Sequence, residues 1–294
     1  MFTDWNDYQQ EELKSLNFSP PMSDYNEVLR QSLLRNALSG NPPDLPVIHT
    51  LALNGWFPGA RFYWQGSDSE ERYQTNVGDP VNRLLLEQYG WLDKEVVYEV
   101  NSWGFRSRDQ KEFDQLAGPT LITMGCSFTF GTALNQEQIW PQLLADKLGM
   151  DLANIAVPGL DLGPAVQWLL CNGDQIANPA AIVVQKPPTG RVTWPKVDRG
   201  AAFIDSLINF YDDNRYADIV SNQRLLALSN YITHYHTIKL WAEFKNIPLV
   251  FFSGMGVLNM KQRGLARDLM HYGTQWHQFE AERSYNQIKR LTKI

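Results

Sequence analysis

From about residue 96 onward, short apolar runs alternate with longer amphipathic stretches, and this alternation limits the fold more than any other feature. Residues 119–124 (PTLITM), 151–156 (DLANIA), 180–185 (AAIVVQ) and 248–253 (PLVFFS) have the length and apolar density of buried strands. Residues 136–148, 162–176, 202–211, 225–245 and 274–292 have the spacing of helices, and Gly149 is a natural stop for the first of them. Strands separated by helices pair in parallel, because each crossover returns the chain to the same end of the sheet, and the helices cover both faces. The expectation is an α/β chain: a three-layer, doubly wound sandwich with a mainly parallel central sheet. In such a sheet, chemistry collects on the loops at the carboxyl ends of the strands.

Residues 1–95 lack this rhythm. They are rich in turn formers, as in GNPPDLP (40–46) and NGWFPGARFYWQGSDSEE (54–71). Helices are expected at 25–38, where Val28, Leu29, Leu33 and Leu34 recur, and near 84–90. Residues 1–95 therefore read as a loop-rich arm or cap segment, and residues 96–294 as the α/β domain. With 44% hydrophobic and 20% charged residues, the 294-residue chain can bury a sizeable core. Its net charge of −6 argues against the broad basic face of a nucleic-acid binder. Two cysteines, Cys126 and Cys171, are too few for a disulfide framework or a structural zinc site. The N-terminal residues have no positive stretch followed by an apolar run, and no apolar run approaches the roughly 20 residues of a membrane span. The chain reads as soluble and cytoplasmic.

Two segments could carry chemistry. Gly125-Cys126-Ser127-Phe128-Thr129-Phe130-Gly131 directly follows the first strong strand. A serine becomes a nucleophile when it is exposed, has a base within reach and has donors for the developing oxyanion. A serine between glycines at a strand-to-helix turn meets the first condition, and its own N–H can serve the third. The plainer reading is a helix cap. Asp268-Leu269-Met270-His271 follows the last strand, and residues three apart can meet within one turn, so the carboxylate can orient the imidazole. The plainer reading there is a solvated Asp near an unrelated His. His277 falls in the closing helix and is expected to pack or cap. A parallel sheet places the two segments at one edge, in the chain order Ser, Asp, His.

These segments resemble the blocks of the SGNH (GDSL-type) hydrolases. Residues 125–131 are similar to that family's Gly-Asp-Ser block, with Cys126 in place of aspartate. Asn101-Ser102-Trp103-Gly104-Phe105-Arg106 is similar to the Asn-x-x-Gly-Phe-Arg found upstream in one branch. Asn154-Ile155-Ala156-Val157-Pro158-Gly159 is similar to the second block, and Asp268-Leu269-Met270-His271-Tyr272-Gly273 to the last, with Tyr272 replacing proline. The resemblance implies a flavodoxin-like three-layer fold and hydrolysis of an O-acyl ester. Ser127 would attack, His271 would act as base and then acid, Asp268 would orient His271, and the N–H groups of Ser127 and Gly159 would hold the oxyanion. The third block's asparagine is missing: Lys186-Pro187-Pro188-Thr189-Gly190-Arg191 stands there. Gln185, Thr189 or Arg191 are candidates to replace it and touch substrate, though turn and surface are their plainer reading.

The same resemblance implies a small acyl ester or acylated glycan as substrate, with an O-acetyl carbohydrate ester as the example it offers. It calls for no metal or organic cofactor and leaves the oligomeric state open, while charge and hydropathy point to no nucleic acid and no membrane as partner. Two other readings use the same fold: a binding or structural protein with weak or no catalysis, and an acyltransferase using the same residues. Three further features point to nothing catalytic. His234 and His236 are two apart on a helix and face different sides. Gly254-Met255-Gly256 lacks a dinucleotide fingerprint. Lys186, Arg191, Lys196 and Arg199 form a modest basic cluster, with a solvated loop as its default.

Overall fold

A short antiparallel ribbon pairs β1 (Arg61–Phe62) with β2 (Tyr98–Glu99), and two helices, α1 (Glu70–Gly78) and α2 (Pro80–Gln88), lie between them in the chain. The computed structural model describes residues 59, 61–187, 193–198, 201–206, 217–253 and 264–292. Both helices start on side-chain caps. Ser69 accepts from the N–H of Arg72, and Asp79 accepts from those of Val81 and Asn82, with Pro80 opening α2. Local capping thus makes helix where weak periodicity suggested loop, and the loop-rich reading is corrected for residues 70–83; the helix expected near 84–90 is the second half of α2, which ends at Gln88. The helix expected at 25–38 lies outside the described residues.

The central sheet holds β3 (Thr120–Met124), β4 (Asp151–Asn154), β5 (Pro179–Lys186) and β8 (Leu249–Ser253), all parallel, in the order β4-β3-β5-β8. Adjacent residues of each strand point to opposite faces, so each strand feeds two cores. Ile122, Met124, Ile182 and Val184 pack with Trp168, Leu169, Ile238 and Ala242 of α5 (Gly163–Asn172) and α6 (Ala217–Lys245). Leu121, Ala181, Val183, Val250 and Phe252 pack with Trp140, Leu144, Trp276 and Ile288 of α4 (Trp140–Leu148) and α7 (Thr274–Thr292). Each aliphatic side chain sealed in this way contributes about 1.5–3 kcal/mol, more than the few tenths that separate most intrinsic propensities. The result is the three-layer α/β sandwich with a parallel sheet that the alternation demanded.

A third core joins the N-terminal helices to this sandwich. Leu86, Trp91, Val96 and Tyr98 pack with Phe130, Ala133, Leu134, Ile139, Ala156 and Ala266. Residues 61–99 are therefore packed onto the loops that follow β3, β4 and β8.

One expected helix is corrected. Residues 202–206, read as the start of a helix over 202–211, lie in β7 (Ala201–Ser206), which pairs antiparallel with β6 (Thr193–Asp198). Only Arg199 and Gly200 separate the two strands, a spacing that favours a hairpin, and the ladder from Thr193↔Ser206 to Asp198↔Ala201 overrides local spacing. Residues 207–211 are outside the described residues. No helix among the described residues is long and apolar enough to cross a membrane.

Candidate active site

Parallel strands put their carboxyl ends on one edge, and there the chain turns abruptly from β3 into α3 (Ser127–Phe130). Gly125 makes the turn possible by close approach: a Cβ there would collide with Thr129 Oγ1 and lie 3.2 Å from the Gln185 carbonyl. Ser127 is the first residue of the helix, so its N–H has no intrahelical acceptor. The loop is fastened from behind. Val157 N–H donates to the Gly125 carbonyl at 3.1 Å, and Asn154 Nδ2 donates to the Thr129 carbonyl at 3.1 Å. Arg106, wholly buried, donates to the carbonyls of Phe130, Gly131, Leu134 and Val97, and lies over the rings of Tyr98 and Phe130. Burial lowers its pKa to about 10, which leaves it charged at neutral pH.

The second segment arrives as a turn and not as a helix. Leu265 bridges Tyr272, Ala266 N–H donates to the His271 carbonyl at 3.0 Å, and Leu269 sits in the left-handed region at φ 56°. Asp268 organises this turn with its own carboxylate: Oδ1 accepts from the N–H groups of Met270 and His271, each at 3.0 Å. Asp268 and His271 thus meet within one turn, as the spacing allowed, and the turn is pinned by the aspartate's own side chain. His271 Nδ1 lies 2.6 Å from Asp268 Oδ2, and its Nε2 lies 2.8 Å from Ser127 Oγ. Phe128 flanks the imidazole, with ring centroids 4.9 Å apart.

Asp268 is 2% exposed and Ser127 6%, while the His271 side chain keeps 13%. Burial alone would raise the Asp268 carboxyl, but hydrogen bonds from His271, Ser67 and the Met270 N–H outweigh it and hold the group below its usual value. A carboxylate facing Nδ1 favours the tautomer protonated there, leaving Nε2 to accept from the serine. That is the geometry in which a serine hydroxyl can be deprotonated as it attacks.

The other expected residues fall differently. Gly159 lies in the exposed turn after β4 in the left-handed region, at φ 80°. Gln185 is 0% exposed, and its Oε1 accepts from Thr129 Oγ1 at 2.5 Å, so its carbonyl oxygen supports the serine helix from inside. Its reading as a surface or turn residue is corrected, because it sits within β5 and its side chain points into the core. Thr189 and Arg191 are outside the described residues. Cys126 is buried in the core shared with Trp140 and Phe252. His277 is buried and its Nδ1 accepts from the N–H of Trp140 at 2.8 Å, capping α4; burial drives its pKa down to about 3. Trp276 is stacked on Tyr272 in the core and is 1% exposed. Among the described residues, no group of three or more His, Cys, Asp or Glu side chains is placed to hold a metal ion.

Sequence reading missed the supports. Ser67 Oγ donates to Asp268 Oδ2 at 2.7 Å, and Asp68 forms a buried ion pair with Arg267. Both partners of Ser67 and Asp68 lie about 200 positions away. The one local hint was Arg267 itself, a cation beside the candidate aspartate that needs a counter-charge if buried.

Fold and site together define a class: an α/β sandwich whose carboxyl-edge loops place a serine hydroxyl, an imidazole and a buried carboxylate in one hydrogen-bonded line. No protein-family model matches the chain, and no curated protein matches it. Among solved structures it is similar to a lipolytic protein of the G-D-S-L family from Desulfitobacterium hafniense DCB-2, with 15% identity, TM-score 0.29, and 57% of this chain and 98% of that one covered. It is also similar to the psychrotrophic esterase EstA from Pseudoalteromonas sp., at 15% identity and TM-score 0.33 over 60% of this chain and 99% of that one. A third is the salicylyl-acyltransferase SsfX3 from a tetracycline biosynthetic pathway, at 14% identity and TM-score 0.32 over 60% of this chain and 57% of that one. Likenesses this slight carry nothing about the chemistry of this chain, which stands on its own geometry.

Proposed function

We propose that this chain is a serine esterase or deacylase of SGNH type, acting on an O-acyl ester of a small molecule or a glycan. The observation that carries the reading is the continuous line from Ser127 Oγ to His271 Nε2 at 2.8 Å and from His271 Nδ1 to Asp268 Oδ2 at 2.6 Å. In this scheme Ser127 Oγ bonds to the acyl carbon as its proton passes to His271 Nε2. The N–H groups of Ser127 and Gly159 stabilise the oxyanion, each such donor being worth about 10²–10³ in rate. Collapse breaks the ester C–O bond, and the imidazolium gives its proton to the leaving alcohol. Water then attacks the acyl-serine by the same path, with His271 as base, and the carboxylic acid leaves as Ser127 regains its proton. Asp268 stays ionised throughout, holding the ring and stabilising its cation.

A second reading, a binding protein with the same fold and little catalysis, draws on Gln185. Its buried side chain is turned to Thr129, so among the described residues the expected oxyanion donors are the backbone N–H groups of Ser127 and Gly159. One experiment separates the two. Wild type, Ser127→Ala and His271→Ala are treated with a fluorophosphonate probe, adducts are located by mass spectrometry, and turnover of an aryl acetate is followed. The hydrolase predicts an adduct on Ser127 that needs His271, and a loss of turnover on the order of 10⁶ in either variant. No adduct and no turnover in wild type would favour the binding protein.

A further inference from the structure

A tight turn from the N-terminal part of the chain touches both halves of the site. Gln65 and Asp68 exchange backbone hydrogen bonds at 2.8 and 2.9 Å, with Gly66 and Ser67 at the corners. Gly66 takes φ 57°, a conformation that costs glycine little. Gln65 Oε1 accepts from Thr132 Oγ1 at 3.2 Å, just past the serine helix. On the other side, two consecutive residues meet two consecutive residues. Asp68 takes both Arg267 Nε (2.9 Å) and Arg267 Nη2 (2.7 Å), while Ser67 Oγ donates to Asp268 Oδ2 at 2.7 Å. The ion pair is almost wholly buried, at 3% and 1% exposure, and Tyr98 Oη donates to Asp68 Oδ2 at 2.6 Å. Tyr98 in turn accepts from the N–H of Ala133, and Arg267 N–H donates to the Ala133 carbonyl.

We infer that Ser67 is a positioning residue for the reaction, a fourth member of the relay that fixes the Asp268 carboxylate against His271. The inference rests on the hydrolase reading and deepens it. With Ser67 in place, the carboxylate receives four hydrogen bonds: two backbone N–H groups on Oδ1, and Ser67 Oγ and His271 Nδ1 on Oδ2. Four donors fix both the position and the plane of the group, so its Oδ2 lone pair faces Nδ1. Ser67 Oγ also lies 3.5 Å from His271 Nδ1, so it stands beside the ring nitrogen as well as the carboxylate. A bidentate ion pair on the adjoining residues, Asp68 and Arg267, holds the hydroxyl in register. Removing the hydroxyl leaves the fold's anchor intact and leaves the carboxylate with three donors, His271 Nδ1 alone on Oδ2, so that its plane is less tightly fixed.

The test measures fluorophosphonate labelling of Ser127 in the full chain for wild type, Ser67→Ala and Ser67→Thr. The maximal inactivation rate, the probe concentration at half-maximal rate and the final labelled fraction are followed separately. Ser67→Ala is expected to label to the same final fraction and with the same half-saturating concentration, but about 10- to 100-fold more slowly, as misplacement of a reacting group predicts. Ser67→Thr, which keeps a hydroxyl, is expected to regain most of the rate. Three results overturn the assignment: an unchanged rate in Ser67→Ala, a labelled fraction that falls in step with the rate, or a Ser67→Thr no faster than Ser67→Ala. A wild type that does not label at Ser127 removes the hydrolase and this role together. A wild type that labels beside an unaffected Ser67→Ala removes this role alone.

Discussion

The loop that carries Ser127 and the turn that carries Asp268 and His271 end up 2.8 Å apart, yet they are held in different ways. The serine loop is an outgrowth of the sheet. It leaves β3, turns at Gly125 against β5, and is gripped by Asn154 and Gln185 from the neighbouring strands. The Asp268–His271 turn is fastened instead to a remote piece of chain, through Ser67 and the Asp68–Arg267 pair, with one main-chain bond, from Arg267 N–H to the Ala133 carbonyl, reaching the segment just past the serine helix. The nucleophile's position follows from packing that the sheet requires anyway. The base's position depends on polar partners supplied by Ser67 and Asp68. Damage to the two sides should therefore differ in kind: overpacking on one, an unpaired charge on the other.

Arg267→Met should have the largest effect, because it leaves Asp68 buried without its cation. A loss of about 3–5 kcal/mol is expected in urea denaturation. The double change Arg267→Met with Asp68→Asn should recover part of it, since the cost is the unpaired charge and not the missing side chain. A double variant no better than the single one would break the contrast. On the serine side, Gly125→Ala forces Thr129 and the Gln185 carbonyl away from the new methyl group. The expected cost is smaller, about 1–3 kcal/mol by the same measurement.

Acid should act on the joint between the two halves, where His277 of α7 accepts from the Trp140 N–H that opens α4. His277 titrates near 3 in the fold, against an ordinary value of 6.5. Between those values the unfolded chain takes up the proton and the folded chain does not. Its contribution is therefore complete above about pH 6.5 and declines on acidification, by up to about 1.4 kcal/mol per pH unit. Asp268 acts in the same direction further down: its lowered carboxyl stabilises the fold above its ordinary 3.8 and loses that contribution as pH falls through the folded value. Denaturation curves from pH 7 to 4 should show the slope, and His277→Gln should flatten it. An unchanged slope in that variant would show that some other group governs the acid limb.

Much of this architecture was legible in the sequence. The four strands of the central sheet were readable because a strand buried on both faces must be apolar on both faces, as in AAIVVQ. The residues Ser127, Asp268 and His271 were readable as candidates because glycine turns after strands and a carboxylate three residues before a histidine are local patterns. Where local spacing misled, a specific contact explains it. Residues 202–206 pair as strand because a matching strand lies two residues upstream. Residues 70–78 and 80–83, ahead of the helix expected near 84–90, are helical because Ser69 and Asp79 cap α1 and α2.

Sequence alone determined the layers, the order of strand and helix, and the sheet edge to which the serine and histidine segments belong, because periodicity and apolar density act over neighbouring residues. Tertiary structure alone decided that Gln185 turns inward to Thr129, that Arg106 holds four carbonyls, and that Ser67 and Asp68 meet Asp268 and Arg267 across some 200 positions. A hydrogen bond or ion pair between distant residues leaves no period in the chain, since nothing near a serine in a polar turn marks which carboxylate it will meet. Only the packing of the N-terminal helices onto the sandwich brings such partners within reach.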